Sequence, residues 1–245
     1  MKNRNLSIQE NYNLSFSKER TINTIDIAVK QSIKSKIYVV NAHIFCEGII
    51  DPAYQELIKQ ATINTCDGIN VKRLVKWTSG IDIDLFPGPD MFKEIIQNNR
   101  LGPLKHFFLG GSSTVSKGLK EVLGEKDKEY YSPPFVNNAE EFDYEHIASL
   151  INGQQPDIIW VGLGAPKQEK VIHKLFDKLD KGVLVGVGAA FNFFSGIDSF
   201  KRAPATYRRL HLEWLFRLFQ EPKRIASRQL RNLKYLIIGY IKYRK

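Results

Sequence analysis

Apolar positions change their spacing along this chain in a recurring way. In residues 21–33, Ile22, Ile25, Val29 and Ile33 return at three- and four-residue intervals, the spacing of a helix buried on one side. The run KIYVVNAHIF that follows is almost continuously apolar and β-rich, as a strand covered on both faces is. Residues 52–59 predict a helix, 62–66 a short strand end and 69–77 another helix.

Three later units repeat the alternation: HFFLGGSS with TVSKGLKEVL, DIIWVGLGAP with KQEKVIHKLFDKL, and VLVGVGAAFNFFSG. In each, an apolar run ends in glycine. Strands of this kind alternating with amphipathic helices predict an α/β domain with a mainly parallel sheet and helices on both faces. Ligands bind such sheets at the carboxyl ends of the strands, so Asn41, Asp67, Gly110, Gly111, Gly162, Gly164, Gly186 and Gly188 are candidates to line one crevice.

The ends of the chain differ from its middle. Residues 1–20 are polar and read as a loosely attached lead-in. Residues 204–219 combine Leu210, Trp214, Leu215, Leu218 and Phe219 with Arg208, Arg209 and Arg217, an amphipathic helix with a cationic face. Pro222 breaks or restarts it, and a second basic segment carries Arg224, Arg228 and Arg231 on one face.

Charge sharpens this division. The 245 residues hold 36 Lys and Arg against 26 Asp and Glu, and 13 of those cations against two acids lie in residues 201–245. The remaining 200 residues are close to neutral, which excludes a uniformly cationic packaging protein and gives a globular body with a basic C-terminal device. With 43% apolar residues the chain can build a core. Cys46 and Cys66 follow no zinc or disulfide spacing, which points to a reducing cytoplasm. The N-terminus has no signal-peptide h-region, and the apolar stretch 235–241 is far shorter than the roughly 20 residues that span a bilayer.

Candidate chemistry lies at the strand ends. A strand, a glycine turn and a helix N-terminus present N–H groups to a phosphate, yet neither GLGAPKQE nor GVGAAF completes the dinucleotide fingerprint GxGxxG. Asp67, in INTCDGIN, is either a general base at a strand edge or a member of an Asp-Gly turn or helix cap. Asp82 and Asp84 form a DxD with no further acid or histidine cluster to complete an octahedral site, so metal binding is the weaker reading. His43, His106, His146, His173 and His211 show no ligand spacing. Gln168 and Glu169, after Pro166, either cap a helix or project into the crevice.

Taken in order, CDGIN, FFLGGSSTV, PDIIWVGLGAPKQEK, GVGAAFNFFSG and KRAPATYRRLHLEWLFRLFQEPKR resemble the WecG/TagA/CpsF family of bacterial glycosyltransferases, over about residues 37–231. The resemblance implies a Rossmann-like catalytic domain over residues 21–200 and a basic helical appendage over 201–245. It further implies an inverting transferase that needs no metal or cofactor and moves N-acetylmannosamine or a related hexose or uronic acid from a UDP donor. The acceptor would be a polyprenyl diphosphate-linked glycan in cell-surface polysaccharide or teichoic acid synthesis. By that resemblance Asp67 is the catalytic aspartate, and Asn41, Gln168, Glu169, Arg202, Arg209, Arg217 and Arg224 match substrate-binding positions. Gly110, Gly111, Gly162, Gly164 and Gly188 join them through the phosphate argument.

Val39, Leu85, Asn70 and Asn192 depart from the family's pattern at positions that usually hold other residues. They bear on the sugar accepted, and they keep a non-catalytic nucleotide-sugar-binding homologue as the alternative. A nucleic-acid-binding protein with a basic arm is the rival from another class, disfavoured because the tail's aromatics fall in amphipathic order. The tail instead predicts a peripheral position on the inner face of the cytoplasmic membrane. Packing into a homo-oligomer is the other use for its apolar residues.

Overall fold

A computed structural model describes residues 6–197, 202–210, 212–220 and 222–244, the side chains of Arg217, Gln220, Lys223 and Arg224 excepted. Two short helices, α1 (Ile8–Asn11) and α2 (Lys18–Lys30), precede the first strand, β1 (Ser35–Val40). Then come α3 (Ala42–Ile50), α4 (Pro52–Lys59), β2 (Ile63–Cys66), α5 (Ile69–Ser79) and α6 (Gly88–Phe92), the last continued by a π-helical turn to Gln97. The second half runs β3 (His106–Gly110), α7 (Ser113–Leu123), β4 (Lys128–Tyr131), α8 (Tyr144–Gln154), β5 (Ile158–Gly162), α9 (Lys167–Phe176), β6 (Val183–Gly186) and α10 (Ala190–Phe194). The tail forms α11 (Ala205–Arg209), α12 (Glu213–Gln220) and α13 (Pro222–Tyr243).

All six strands are parallel, in the order β2-β1-β6-β5-β3-β4. Side chains alternate across the sheet and divide the core in two. Tyr38, Val40, Phe107, Leu109, Ile159, Val161 and Leu184 face one side, with Ile44 of α3, Val71 of α5, Ile147 of α8 and Val171 of α9. Ile37, Val39, Phe108, Ile158, Trp160, Val183 and Val185 face the other, with Ile25 of α2, Phe92 of α6, Val115 of α7 and Phe191 of α10. Burial on both faces is why these strands are continuous apolar runs rather than alternating ones.

Helices leave some neighbouring strands on opposite faces, although α3 after β1 and α5 after β2 share the first face. From β1 the chain turns to α3 on the first face, and from β6 to α10 on the second; β5 and β3 diverge in the same way, to α9 and α7. Each divergence opens a crevice at the carboxyl edge of the sheet.

Several sequence expectations need correction. The start of the chain is not loosely attached over the described residues: Ile8, Tyr12 and Leu14 are buried, and the Tyr12 hydroxyl donates to the Phe45 carbonyl at 2.9 Å. In the segment LFPGPD, Gly-Pro-Asp opens α6 with Pro89 in the first turn, where a missing N–H costs nothing. The tail from residue 204 is two helices, α11 and α12, before α13.

The last helix is held to the body. Cβ-less Gly239 lets α13 approach α3 so closely that a methyl group there would lie 2.6 Å from the Phe45 ring. Nearby, the Gln55 amide donates to the Tyr243 hydroxyl at 2.8 Å, and Arg231 pairs with Glu47. Gly239→Val should therefore cost about 1–3 kcal/mol of overpacking, measured as a lowered thermal midpoint; an unchanged midpoint would show that α13 is not fixed on α3.

A second buried contact joins α4, α9 and the loop after β6. Glu169 is fully buried, and its carboxylate accepts from the Tyr54 hydroxyl at 3.0 Å and the Gln168 amide at 2.9 Å. The other end of that amide accepts from the Gly188 N–H at 2.9 Å. Burial pushes the Glu169 carboxyl above the usual glutamate range, against the hydrogen bonds that lower it. The folded state then holds the proton more tightly than the unfolded one, so this contribution is complete below about pH 4.3 and is lost as pH rises through the folded value. Glu169→Gln should lose less stability than the wild type between pH 4 and pH 8 in denaturant unfolding. Equal losses would mean that Glu169 is as acidic in the fold as in the unfolded chain.

Candidate active site

Asp67 follows β2 directly, and its N–H donates to the Val40 carbonyl of β1 at 2.9 Å, so it stands where two strands end. Gly68 after it has φ +108°, a conformation that lets the chain turn at once into α5 and leaves Asp67 at the edge, half-buried. The chain returns beside it: Leu85 bridges Cys66 in parallel, and the Phe86 N–H donates to the Cys66 carbonyl at 2.9 Å. That return carries Gly88 against Val187, the residue after β6, where a Cβ would lie 3.0 Å from the carbonyl oxygen. The carboxyl ends of β2, β1 and β6 and the start of α6 are thereby brought together.

Arg202 connects this edge to the tail. Its Nη1 lies 2.6 Å from Asp90 Oδ1 of α6, and its Nε lies 3.9 Å from Glu213 of α12. Burial opposes the guanidinium's charge, but the Asp90 hydrogen bond and charge, then Glu213 and Asp67, outweigh it and raise the pKa above the ordinary value. Asp67 thus sits within the electrostatic reach of Arg202. A carboxylate and a permanent cation share one field at the strand edge.

The second crevice, between β5 and β3, holds a cavity of about 500 Å³ lined by Gly111, Ser112, Ser113, Ser132, Phe135, Gly162 and Lys167 among others. Ser112 caps α7, accepting from the Val115 N–H at 3.3 Å, so the first N–H groups of an 11-residue helix open beside the cavity. Lys167 donates to the Val136 carbonyl at 2.7 Å and lies over the Phe135 ring, 5.0 Å from its centre. Phe135 is 87% exposed, an aromatic face open to a planar ligand.

The remaining sequence candidates divide. Gly110 packs against Gly162 at the β3–β5 boundary, and Gly164 accepts from the Gln168 N–H at 2.9 Å, so both build the loops. Asn41 caps α3, its Oδ1 accepting from His43 N–H at 2.9 Å and Ile44 N–H at 3.1 Å. Gln168 and Glu169 are buried and mutually bonded, and Gln168 in turn holds the Gly188 N–H. Arg209 is exposed on α11, while the side chains of Arg217 and Arg224 lie outside the described residues, as does His211. Val39 is buried in the second core and Leu85 packs against the first.

The DxD acids are otherwise engaged: Asp82 pairs with Lys72 at 3.0 Å and Lys76 at 3.4 Å, and Asp84 accepts from the Lys18 N–H at 3.1 Å. Among the histidines, His43 meets Arg231 at 3.1 Å, His106 meets the buried Trp160 indole at 3.2 Å, and His173 meets Lys36 at 3.2 Å. Sequence reasoning missed Asp90 and Lys167 as site residues. Asp90 is 112 residues from Arg202, so only the fold reveals the pair.

Among the described residues, no helix is long and apolar enough to cross a membrane. The profile described as the glycosyl transferase WecG/TagA/CpsF family matches residues 11–245. Among curated proteins, an N-acetylglucosaminyldiphosphoundecaprenol N-acetyl-beta-D-mannosaminyltransferase of Bacillus subtilis (strain 168) is 32% identical, over 85% of this chain and 80% of its own. Proteins of the same name from Bacillus spizizenii (30% identical, covering 77% of this chain and 72% of the relative) and Staphylococcus aureus strain MW2 (29%, 78% and 74%) are also similar. A matching profile over nearly the whole chain, on a sheet whose edge presents an aspartate and an arginine, places this protein in the WecG/TagA/CpsF family of glycosyl transferases.

Proposed function

We propose that the chain is an inverting glycosyltransferase that moves N-acetylmannosamine, or a related hexose or uronic acid, from a UDP donor to a sugar on polyprenyl diphosphate. The observation that carries this reading is Asp67 at the strand edge, within the field of the Arg202–Asp90 pair. The names of the relatives support the acceptor and the sugar. Engagement of Asp82 and Asp84 with lysines and backbone supports a mechanism in which neither is a metal ligand.

In this mechanism Asp67 takes the proton from an acceptor hydroxyl as that oxygen bonds to the anomeric carbon. The bond from the anomeric carbon to the donor's phosphate oxygen breaks on the opposite face, and UDP leaves with the electron pair. One displacement inverts the anomeric configuration. The nucleotide lies along the glycine-ended strands, near Gly111, Gly162 and the start of α7. Negative charge growing on the diphosphate is met by Arg202, with Arg209, Arg217 and Arg224 as further cations of the appendage. The basic tail, with Trp214 43% and Ile238 38% exposed, lies on anionic lipid at the inner face of the cytoplasmic membrane, where the lipid-linked acceptor resides.

Asp67→Asn should lower turnover by about 10²- to 10⁴-fold, the scale of general-base catalysis, while keeping the wild-type thermal midpoint. Wild-type turnover in that variant would remove Asp67 from the role. NMR of the product should show an anomeric configuration opposite to the donor's, and retention would contradict a single displacement. Transfer should also persist in EDTA.

A further inference from the structure

A groove of about 740 Å³ runs between α5 and α13. Its α5 wall is made by Asn70, Arg73 and Trp77, spaced three and four residues apart on one helical face. Leu233, Ile237 and Tyr240 form the α13 wall with the spacing four and three. Trp77 is 68% exposed, Leu233 58% and Ile237 52%, a concentration of open apolar surface beyond the scattered residues usual on a soluble protein.

Polarity changes along the groove in one direction. Asn70 lies in the first turn of α5, three residues after Asp67, and Trp77 lies about 10 Å farther along the helix axis at 1.5 Å per residue. Between them Arg73 is exposed and makes no ion pair among the described residues. From Asp67 outward the surface is therefore a base, then an amide and a free cation, then an apolar trough. A lipid-linked acceptor has the same order: reacting hydroxyl, sugar diphosphate, hydrocarbon chain.

We propose that the α5–α13 groove holds the first isoprene units of the acceptor, with Asn70 and Arg73 on its diphosphate. This rests on Asp67 being the base that meets the acceptor hydroxyl. The α13 wall is preformed, because Gly239 and the Arg231–Glu47 pair fix that helix on α3. A preformed trough binds a flexible chain without first ordering a protein segment.

The full-length protein would be titrated calorimetrically, without membranes, with N-acetylglucosaminyl diphosphate linked to one, two or three isoprene units. The wild-type Kd should fall at least about tenfold from the shortest chain to the longest, as burial of added hydrocarbon requires. Trp77→Asp and Ile237→Asp, both at exposed positions, should flatten this dependence while unfolding at the wild-type temperature. Arg73→Gln should weaken all three ligands alike.

A wild-type Kd indifferent to chain length would overturn the proposal, and so would aspartate variants that keep the dependence. Sedimentation showing a wild-type dimer that these variants dissolve would overturn it too, by assigning the groove to a second copy of the chain. Turnover of UDP-N-acetylmannosamine on the same ligands is a separate readout. Chain-length-dependent binding without turnover would set aside N-acetylmannosamine as the donated sugar and leave the groove assigned.

Discussion

Arg202 and Asp90 lie 2.6 Å apart, one at the start of the C-terminal helices and the other on α6 at the edge of the sheet. A half-buried guanidinium cannot stay unpaired at low cost, so this contact fixes where the tail begins relative to the strand ends. Glu213 of α12 shares the same cation, and Asp67 feels its charge. The strand edge that carries Asp67 and the appendage are thus joined by a group whose chemistry suits a diphosphate as well as a carboxylate. Donor binding, in this account, draws Arg202 partly away from Asp90 toward phosphate oxygens, which ties substrate occupancy to the position of the tail.

The sheet order makes this arrangement available. With β1 and β6 adjacent and their helices on opposite faces, the carboxyl edge parts at the centre, and the loops after β2 and β6 fall beside it. The buried Glu169 gives the loop after β6 a fixed support through Gln168 and Gly188. An unpaired carboxylate would be costly there, and the Tyr54 and Gln168 donors reduce that cost. The same α9 thus serves the core with one residue and the edge with its neighbour.

Much of the fold was legible because strands buried on both faces are plain apolar runs, and β1, β3, β5 and β6 each have one, whereas β2 (Ile63–Cys66) buries Asn64 and Thr65. β4 escaped notice because it is an edge: Lys128, Glu129, Tyr130 and Tyr131 are at most half-buried, and their sequence carries no apolar signal. Tyr12 and Leu14 misled in the opposite sense, as isolated apolar residues in a polar stretch whose burial depends on Phe45 and Asn64, more than 30 positions away. Within the site, Asp67 and the glycine-ended strands could be found by position alone. Glu169 could be singled out as well, but not its burial, since a charged residue in a first helical turn looks solvent-exposed until Tyr54 is folded over it. Asp90 carried no signal of its own in the sequence, because its partner Arg202 lies 112 residues away.

The central claim is that Arg202 is the cation on which the leaving diphosphate is received. Calorimetric titration of UDP into the wild type and into Arg202→Gln tests it without needing the sugar or the acceptor. Loss of a buried, hydrogen-bonded charge partner should raise the Kd for UDP by about tenfold or more. Equal affinity in the two proteins would contradict the account and return Arg202 to a purely structural pair with Asp90.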